Sequence, residues 1–591
     1  MTYRAPIDEI AFTLKHIAGL EAAMNAGLAG DLSDDLLQAI LSEAGRFAGE
    51  QMAPLGKIGD EVGATWDNGV VTMPPGFKEL YTAWREAGWN ALGGPVEYGG
   101  QGLPQTVQTA VLEMWNSALM SLSLGPVLTF GGIDALHKHG SEALNKVWLE
   151  KLVSGEWMAT MNLTEPQAGS DLALLKSRAE RNDDGTYRIF GTKIFITYGE
   201  HDLTDNIVHL VLARLPDAPA GTRGISLFLV PKFLLNPDGS IGARNDVTCT
   251  GIEHKIGIHA SPTCVMSYGD KGGAIGWLIG EEHRGLACMF TMMNSARLAT
   301  GMQGVAIGEA SHQKALAYAR DRRQGRAPGS NDLAPSPIVE HPDVQRMLLT
   351  QKALTSTARS IAYACAQAID MARWTEGDEA RHWSERAGLL TPLAKAFCSD
   401  IGVETSSLGV QIHGGMGYIE ETGAAVFWRD SRIVPIYEGT NGIQAIDLLT
   451  RKIGLSGGAA VAALFRELRA DADKASASTS AVVRHVGERT LATIRATEEA
   501  TAKMLQTLSQ APTDALAVAT PYLRLMALTV GAGLMARGCV ASIATDDPGT
   551  AARIALAHYF VDHVLTETVG LKSTIDNGGG SLAAAVIALE A

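Results

Sequence analysis

One carboxylate, Glu438, stands between an apolar run and a turn in the stretch PIYEGTNGIQA at residues 435–445. The next acidic residue along the chain is Asp447. A carboxylate at the edge of an apolar pocket has a raised pKa, because a low dielectric penalises its charged form, and it is then a better general base near neutral pH. We therefore predict that Glu438 is a catalytic base. The alternative is a charge that complements the dipole of a helix beginning near Thr440.

A second stretch combines small residues with hydroxyl groups at positions suited to a bound aromatic ring. The small residues at 168–170 let backbone amides and a hydroxyl approach a ring system or a pyrophosphate. Thr164 and Thr197 offer hydroxyls that could bond the polar edge of such a ring. The alternative is that residues 161–171 only connect a strand to a turn.

The length of the chain, 591 residues, predicts several domains, because a single hydrophobic core does not grow to that size. Residues 1–156 are predicted to form a helical domain, with Ser33 as the N-cap of an amphipathic helix. Residues 157–285 contain short β-branched and aromatic runs between turn residues, which predicts a β-domain. Helical patterns return in residues 286–455. The Ala-rich residues 456–591 predict an extra helical domain that is nearly neutral.

The composition excludes several classes of protein. The net charge is −15, from 49 Lys and Arg against 64 Asp and Glu, which is poorly suited to binding nucleic acid through its phosphates. The six cysteines form no CxxC or Cys/His cluster, which argues against a zinc site and a disulfide framework. The amino-terminal sequence does not resemble a secretory signal, and no continuous apolar run reaches the ~18 residues of a membrane span. We expect a cytoplasmic protein with no metal, nucleic-acid or membrane partner.

Four stretches, taken in order, resemble the acyl-CoA dehydrogenases between about residue 35 and residue 455. The succession of helices, β-rich segment and helices is also similar to that family. The resemblance implies an α+β fold with an N-terminal helical domain, a central β-barrel-like domain and a C-terminal four-helix bundle, here followed by the extra helical domain. The four stretches are MNLTEPQAGSDLALL (161–175), GTKIFITYGEHDL (191–203), QIHGGMGYIEE (411–421) and PIYEGTNGIQ (435–444).

The resemblance implies FAD as the cofactor. In the family, the loop that matches Gln411 reaches the cofactor of a neighbouring subunit, which implies a homodimer or homotetramer. Arg322 matches an arginine on the flavin pyrophosphate, but Gly325 stands where the family has an aromatic residue, and the alternative for Arg322 is a solvated basic cluster. The positions that match flavin contacts are Met161, Leu163, Thr164, Gly169, Ser170, Phe195, Thr197, Arg322, Gln411, Gly415 and Thr440.

The resemblance also implies the reaction. Glu438 would take the α-proton of an acyl thioester, the β-hydride would pass to the flavin, and the backbone N–H of Glu438 with a flavin hydroxyl would bind the enolate-like oxygen. Some members supply the base from the helix that carries Arg297, but here Ala296 occupies that position, and no acidic residue lies between Glu282 and Glu309. The implied substrate contacts are Ser170, Asn294, Arg297 and Gly439.

The chain is longer than ordinary members, which end near the equivalent of residue 455. Its start, MTYRAPIDEIAFTLKH, and the stretch IEHKIGIHASPTCVMSYG are most similar to a long branch of the family that acts on 3-methylmercaptopropionyl-CoA. This likeness implies a short acyl-CoA thioester as substrate, 3-methylthioacryloyl-CoA as product and an electron-transfer flavoprotein as acceptor. Three alternatives remain open: a dehydrogenase of other medium or long saturated acyl-CoAs, an acyl-CoA oxidase that reduces O₂, and a DNA-binding protein with the same fold.

Overall fold

The computed structural model of the chain describes residues 3–589. The first two and last two residues of the predicted terminal domains therefore lie outside the described residues. The chain divides into two compact units, each described here by itself. The helical unit comprises Met1–Arg46, Gln105–Ser117 and Arg297–Ala591, and the β-containing unit comprises Phe47–Pro104 and Ala118–Ala296.

The helical unit is built around long helices whose apolar faces pack together. Helices Pro342–Trp374 and Gly377–His413 follow one another after a break of two residues. Residues 297–321 of helix Gly285–Asp321 and residues 105–117 of helix Gln105–His139 also belong to this unit. The other α-helices that lie wholly or largely in the unit are Ile7–Phe12, Leu20–Asn25, Asp34–Phe47, Ala424–Ser431, Asn441–Asp447, Ala459–Ser476, Ala481–Gln510, Pro512–Ala517, Ala519–Ala544, Thr550–Tyr559 and Glu567–Ala585.

Small residues allow two of these helices to approach at backbone distance. A side chain added at Gly301 would place its Cβ 2.2 Å from the Ala394 carbonyl oxygen, and one at Gly304 would lie 2.0 Å from that of Cys398. No other residue fits such an approach without moving a helix. The contact fixes the register of helix Gly285–Asp321 against its neighbour.

The extra C-terminal helices pack into the helical unit. Gly531 lies so close to Thr357 that an added Cβ would come within 2.2 Å of its Cγ2 atom. Arg386 forms a two-armed ion pair with Glu467, with both N–O distances at 2.6 Å. The helices expected in this region are present as Ala459–Ser476, Ala481–Gln510, Pro512–Ala517, Ala519–Ala544, Thr550–Tyr559 and Glu567–Ala585.

The β-containing unit holds all the strands found in residues 3–589. Besides residues 118–139 of helix Gln105–His139 and residues 285–296 of helix Gly285–Asp321, it contains the α-helices Gly56–Glu61, Phe77–Glu86 and Glu142–Val153. Its strands are β1 (Thr65–Asp67), β2 (Val70–Thr72), β3 (Met158–Asn162), β4 (Arg178–Arg181), β5 (Tyr187–Thr197), β6 (Ile207–Arg214), β7 (Ile225–Pro231), β8 (Phe233–Leu235), β9 (Ile241–Arg244), β10 (Val247–Ile252), β11 (Thr263–Tyr268) and β12 (Ala274–Ile279).

The main sheet has the strand order β10-β11-β5-β12-β7-β6-β3, and β4 pairs with both β5 and β6. That double pairing closes strands β4, β5, β12, β7 and β6 into a ring. The β-barrel-like domain implied by the family resemblance is therefore confirmed. Strands β6 and β7 are buried along nearly their whole length, so their apolar residues fill the interior. Long β5 pairs with β11 along its second half and with β12 and β4 along its first half.

The expectation that the first 156 residues are entirely helical is wrong at one place. Strands β1 and β2 pair antiparallel around a turn made by Asn68 and Gly69, which have φ values of 48° and 86°. An Asn-Gly pair favours this tight hairpin because both residues tolerate positive φ. The Asn-Gly pair within the stretch WDNGVV, residues 66–71, is the sequence feature that predicts this hairpin.

The expectation that no segment suits a membrane span is also too strict. Helices Gln105–His139 and Ala519–Ala544 are long and apolar enough by length and mean hydropathy, and a bent pair of helices after Asn441 also passes. The continuous-run criterion missed these helices because a window average tolerates a few polar residues. The apolar windows of the two long helices are 94% and 78% buried within the protein.

All six cysteines are buried free thiols.

Candidate active site

Glu438 lies in a strained turn that precedes helix Asn441–Asp447. Its φ is 58°, and that of Gly439 is 85°, so two successive residues occupy the left-handed region that non-glycine residues rarely adopt. The backbone N–H of Asn441 donates to the carbonyl of Pro435 at 3.0 Å and closes the turn. Glycine adopts this region freely, but for Glu438 the conformation costs about 1–3 kcal/mol, and strain of this kind clusters at functional sites.

The partly buried Glu438 carboxylate is placed among positive charges. Burial raises the pKa of Glu438 to about 7, and the charges of Arg297 and Lys395 oppose that rise. The Nη2 atom of Arg297 lies 4.0 Å from the position that a Cβ would take at Gly439. A carboxylate that only complemented a helix dipole would have a lowered pKa. A pKa near 7 suits a group that must accept a proton near neutral pH.

A buried polar network holds the turn from behind. The Nζ of Lys395 donates to Asn441 Oδ1 at 2.9 Å, and Asn441 Nδ2 donates to Asp400 Oδ1 at 2.7 Å and Ser399 Oγ at 2.9 Å. Lys395 has no exposed surface, and burial lowers its pKa to about 8. The sequence analysis missed Lys395 and Asn441. A lysine inside the apolar run PLAKAFC was the available signal.

We expect Lys395→Met to move the acidic limb of the kcat/KM pH profile to higher pH. Without this cation, burial is opposed less strongly, so the pKa of Glu438 rises above about 7. Each pKa unit of displacement lowers activity about tenfold well below the pKa. The difference from the wild type should shrink above pH 8, because Lys395 itself then loses its proton. Steady-state rates between pH 5.5 and 9 measure the displacement.

The control for that variant is Lys474→Met, which removes an exposed lysine of the C-terminal helices and should leave the profile unchanged. FAD content and melting temperature are measured for both variants, since a loss of folding would lower activity at every pH. An unmoved acidic limb in a folded, FAD-loaded Lys395→Met protein would contradict the electrostatic role.

The two predicted cofactor segments lie side by side within the β-containing unit. The N–H of Ile194 donates to the Thr164 carbonyl at 2.9 Å, and Lys193 Nζ donates to the Leu163 carbonyl at 3.0 Å. Lys193 also pairs with Glu165 at 2.9 Å, and both side chains are buried. This ion pair, which the sequence analysis did not single out, fixes one segment against the other.

The surface of these segments has the chemistry that a flavin requires. Phe195 is 59% exposed and has a φ of 59°. Thr164, Ser170 and Thr197 keep their hydroxyl-bearing side chains exposed or partly exposed. A Cβ at Gly169 would meet only Thr164, at 4.0 Å, so open space adjoins its backbone. An exposed aromatic ring, free space beside the backbone and accessible hydroxyls fit a ring system with a polar edge.

Three other predicted contact residues of the β-containing unit, Met161, Leu163 and Asn294, differ from one another in burial. Met161 is buried in the core of the sheet, and Leu163 packs against the same core. Both side chains therefore support the predicted cofactor segments from the core side. Asn294 is exposed on helix Gly285–Asp321.

Within the helical unit, the predicted pyrophosphate residues lie at the ends of two helices. The rings of Tyr318 and His413 stack at 4.5 Å and bring these ends together. Arg322 follows one end, and Gln411 and Gly415 flank the other; all three are exposed. Their proposed contacts with FAD stay predictions.

The local backbone structure explains the residue types at two further positions, Gly325 and Thr440. Gly325 has a φ of 65°, so the loop after Arg322 favours glycine where the family has an aromatic residue. Arg322 donates to Gln324 Oε1 at 3.1 Å. The Thr440 hydroxyl accepts from the Ile443 N–H at 3.3 Å and caps the helix after Glu438.

Comparison with known families accounts for most of the chain. Residues 35–156, 160–270 and 283–453 match the N-terminal, middle and C-terminal domains of acyl-CoA dehydrogenases. Residues 464–585 match a domain described as acetyl-CoA dehydrogenase C-terminal like. The extra helices therefore belong to a known domain type.

Individual relatives match the chain over nearly its whole length. A 3-methylmercaptopropionyl-CoA dehydrogenase of Ruegeria pomeroyi is 46% identical over 98% of this chain and 99% of its own. The broad-specificity linear acyl-CoA dehydrogenase FadE5 of Mycobacterium tuberculosis is 32% identical over 97% and 98%. The crystal structure of Caenorhabditis elegans ACDH-11 in complex with C11-CoA has a TM-score of 0.76 at 20% identity and covers 95% of this chain and 91% of that chain. With these matches and a partly buried carboxylate in the YEGT turn, the chain belongs to the acyl-CoA dehydrogenase family of FAD-dependent oxidoreductases.

Proposed function

We propose that the protein converts 3-methylmercaptopropionyl-CoA to 3-methylthioacryloyl-CoA, with Glu438 as the base. The observation that carries the chemistry is the Glu438 turn. It presents a carboxylate on a strained backbone, beside Arg297 and Lys395, and burial raises its pKa to about 7. The 46% identity to the Ruegeria pomeroyi enzyme over nearly the full chain supports the substrate.

In this proposal each residue of the site has a separate role in the α,β-dehydrogenation of the thioester. Ionised Glu438 accepts the α-proton of the thioester, which develops negative charge on the thioester oxygen. The backbone N–H of Glu438 donates to that oxygen, and the strained turn holds it in place. Arg297 and Lys395 keep enough of the carboxylate ionised at neutral pH. When bound, FAD supplies the acceptor for the β-hydride. Thr164, Thr197 and Phe195 would hold it in the β-containing unit.

The chemistry of the thioether favours this substrate. Its sulfur is bonded to the carbon that loses hydride, so a sulfur lone pair stabilises the positive charge that develops there. The acyl group is close in shape to an unbranched five-carbon chain, and apolar pockets separate such near-isosteres by only about 1–3 kcal/mol. We therefore expect the highest kcat/KM on the thioether, with butyryl- and valeryl-CoA also accepted and palmitoyl-CoA poor.

Anaerobic flavin bleaching with a panel of acyl-CoAs, followed by steady-state assays, tests the substrate. A kcat/KM more than about tenfold higher on a long-chain or aromatic acyl-CoA than on the thioether would exceed the discrimination argued here and overturn the substrate assignment. The Mycobacterium tuberculosis relative is named for linear acyl-CoAs, so linear chains of four to sixteen carbons form the comparison set. Failure of every acyl-CoA to bleach the flavin would instead overturn the dehydrogenation chemistry.

We further propose an electron-transfer flavoprotein as the electron acceptor and a homodimer or homotetramer as the assembly. The yield of H₂O₂ under air, compared with reduction of an electron-transfer dye, separates this acceptor from O₂. Light scattering of the FAD-loaded protein gives the oligomeric state. With a net charge of −15, we expect no retention on DNA at physiological salt.

A further inference from the structure

Three potential metal ligands converge on the C-terminal helices of the helical unit. His485 Nε2 lies 2.8 Å from Asp562 Oδ1, and His558 Nε2 lies 3.1 Å from Asp562 Oδ2. The two imidazole rings are 5.5 Å apart and nearly perpendicular, at 85°. All three donor atoms lie within 4.8 Å of one another. Two imidazole nitrogens and one carboxylate oxygen therefore surround one point.

The backbone that carries these ligands is well anchored. His485 lies on helix Ala481–Gln510 and is more than 70 residues away in sequence from the other two ligands. Phe560 and Val561, which lie between His558 and Asp562, are completely buried. The ligands thus project from packed elements, and a metal site needs such support to hold its geometry.

The charges around the cluster are mixed. The two carboxylate oxygens of Asp562 each face one imidazole nitrogen, so the carboxylate lies between the two histidines. Arg489 is a competing cation, but its Nη2 is directed to the Val561 carbonyl at 3.5 Å. The side chains of His485, His558 and Asp562 are 40%, 44% and 41% exposed, which gives an ion direct access.

We propose that His485, His558 and Asp562 bind one divalent transition-metal ion of the Zn²⁺ class. Imidazole and carboxylate ligands suit Zn²⁺ and its neighbours, whereas Ca²⁺ and Mg²⁺ prefer sites made only of oxygen. Three protein ligands leave a fourth position for water or another small ligand. The ion joins helix Ala481–Gln510 to the segment Thr550–Val564, so it stabilises the C-terminal helices.

Two of the three ligands also line a cavity in the same unit. His558 and Asp562 border a space of about 760 Å³ together with Lys352, Met535 and Cys539. The ion therefore lies at the wall of a cavity and not on an isolated helix face. This location gives its fourth coordination position room for a ligand.

Zn²⁺ titration of the FAD-loaded protein by isothermal calorimetry, after dialysis against a chelator, tests the proposal. We expect one Zn²⁺ per chain with micromolar or tighter affinity, and a rise of roughly 2–4 °C in melting temperature at saturating Zn²⁺. Co²⁺ in place of Zn²⁺ should give visible absorption bands that report nitrogen and oxygen ligation. Failure to bind either ion at 100 µM would overturn the site.

Variants locate the binding. His485→Gln and Asp562→Asn should each weaken Zn²⁺ binding at least tenfold and abolish the thermal shift while FAD content is kept. The matched control is His382→Gln, because His382 also pairs with a carboxylate, Glu467, at 3.7 Å but is not part of a three-ligand cluster among the described residues. Equal Zn²⁺ affinity in wild type and both cluster variants would place the ion elsewhere and refute the assignment.

Discussion

We expect Glu438→Gln to leave the protein folded and FAD-loaded but to remove nearly all turnover. Glutamine keeps the shape of the side chain and cannot accept the α-proton, and a positioned general base is worth about 10²–10⁴ in rate. Within the helical unit, the charged groups that act on Glu438 are Arg297 and Lys395, and measurement at pH 7, below the pKa of about 8 of Lys395, keeps both protonated. Single-turnover flavin reduction by the best acyl-CoA measures the loss directly. More than a few per cent of wild-type kcat would refute the role.

Wild-type kcat/KM should rise as pH increases through about 7, where Glu438 loses its proton. The same titration has a consequence for stability. Because the folded pKa is raised above the unfolded value, stability is fully present below the unfolded pKa and is lost as pH rises through about 7. Glu438→Gln removes that loss, so its free energy of unfolding should fall less between pH 5 and pH 8 than that of the wild type.

A matched control separates this role from a general effect of lost charge. Glu340 is an exposed carboxylate of the helical unit, and Glu340→Gln should keep wild-type turnover and an unchanged pH profile. A similar loss of turnover in both variants would point to a fault in folding or FAD loading.

Removal of residues 456–591 should yield an aggregating or FAD-poor protein and no clean shorter enzyme. Leu523, Leu525, Met526 and Leu528 are nearly or completely buried in helix Ala519–Ala544. Each such side chain contributes about 1.5–3 kcal/mol by burial. Together the four side chains contribute about 6–12 kcal/mol, which is comparable with the roughly 5–15 kcal/mol that stabilises a typical domain.

The cut also breaks polar contacts that the remaining chain needs. Arg386 would lose Glu467, and Glu404 would lose Arg524, which lies 3.1 Å away. Size-exclusion chromatography and the flavin-to-protein absorbance ratio report the outcome. Deletion of residues 581–591 is the control, because residues 581–589 are exposed and their loss should be tolerated. A soluble 1–455 protein with full FAD content and unchanged assembly would show that the extension is separable.

Local sequence patterns were sufficient for the order of helical and β-rich segments and for a catalytic candidate. Apolar periodicity predicted helical segments before residue 157 and after residue 285, and alternation with turn residues predicted a β-rich segment between them; the bounds of the individual helices and strands came from the structure. The stretch PIYEGTNGIQ made Glu438 a candidate base because a lone carboxylate among apolar residues is chemically unusual, and the resemblance to the acyl-CoA dehydrogenases favoured that interpretation. The Asn68–Gly69 hairpin was overlooked, although its signal is equally local.

Other features depend on residues that are far apart in sequence. The sequence around Glu438 predicts a carboxylate in an apolar setting, but the cations beside it come from Arg297 and Lys395. They reach the turn because Gly301 and Gly304 allow two helices to touch at backbone distance. The three-residue cluster of His485, His558 and Asp562 arises in the same way. The sequence alone determined which residue could act as a base, and tertiary packing decided its charge environment, because electrostatic energy depends on distances in space.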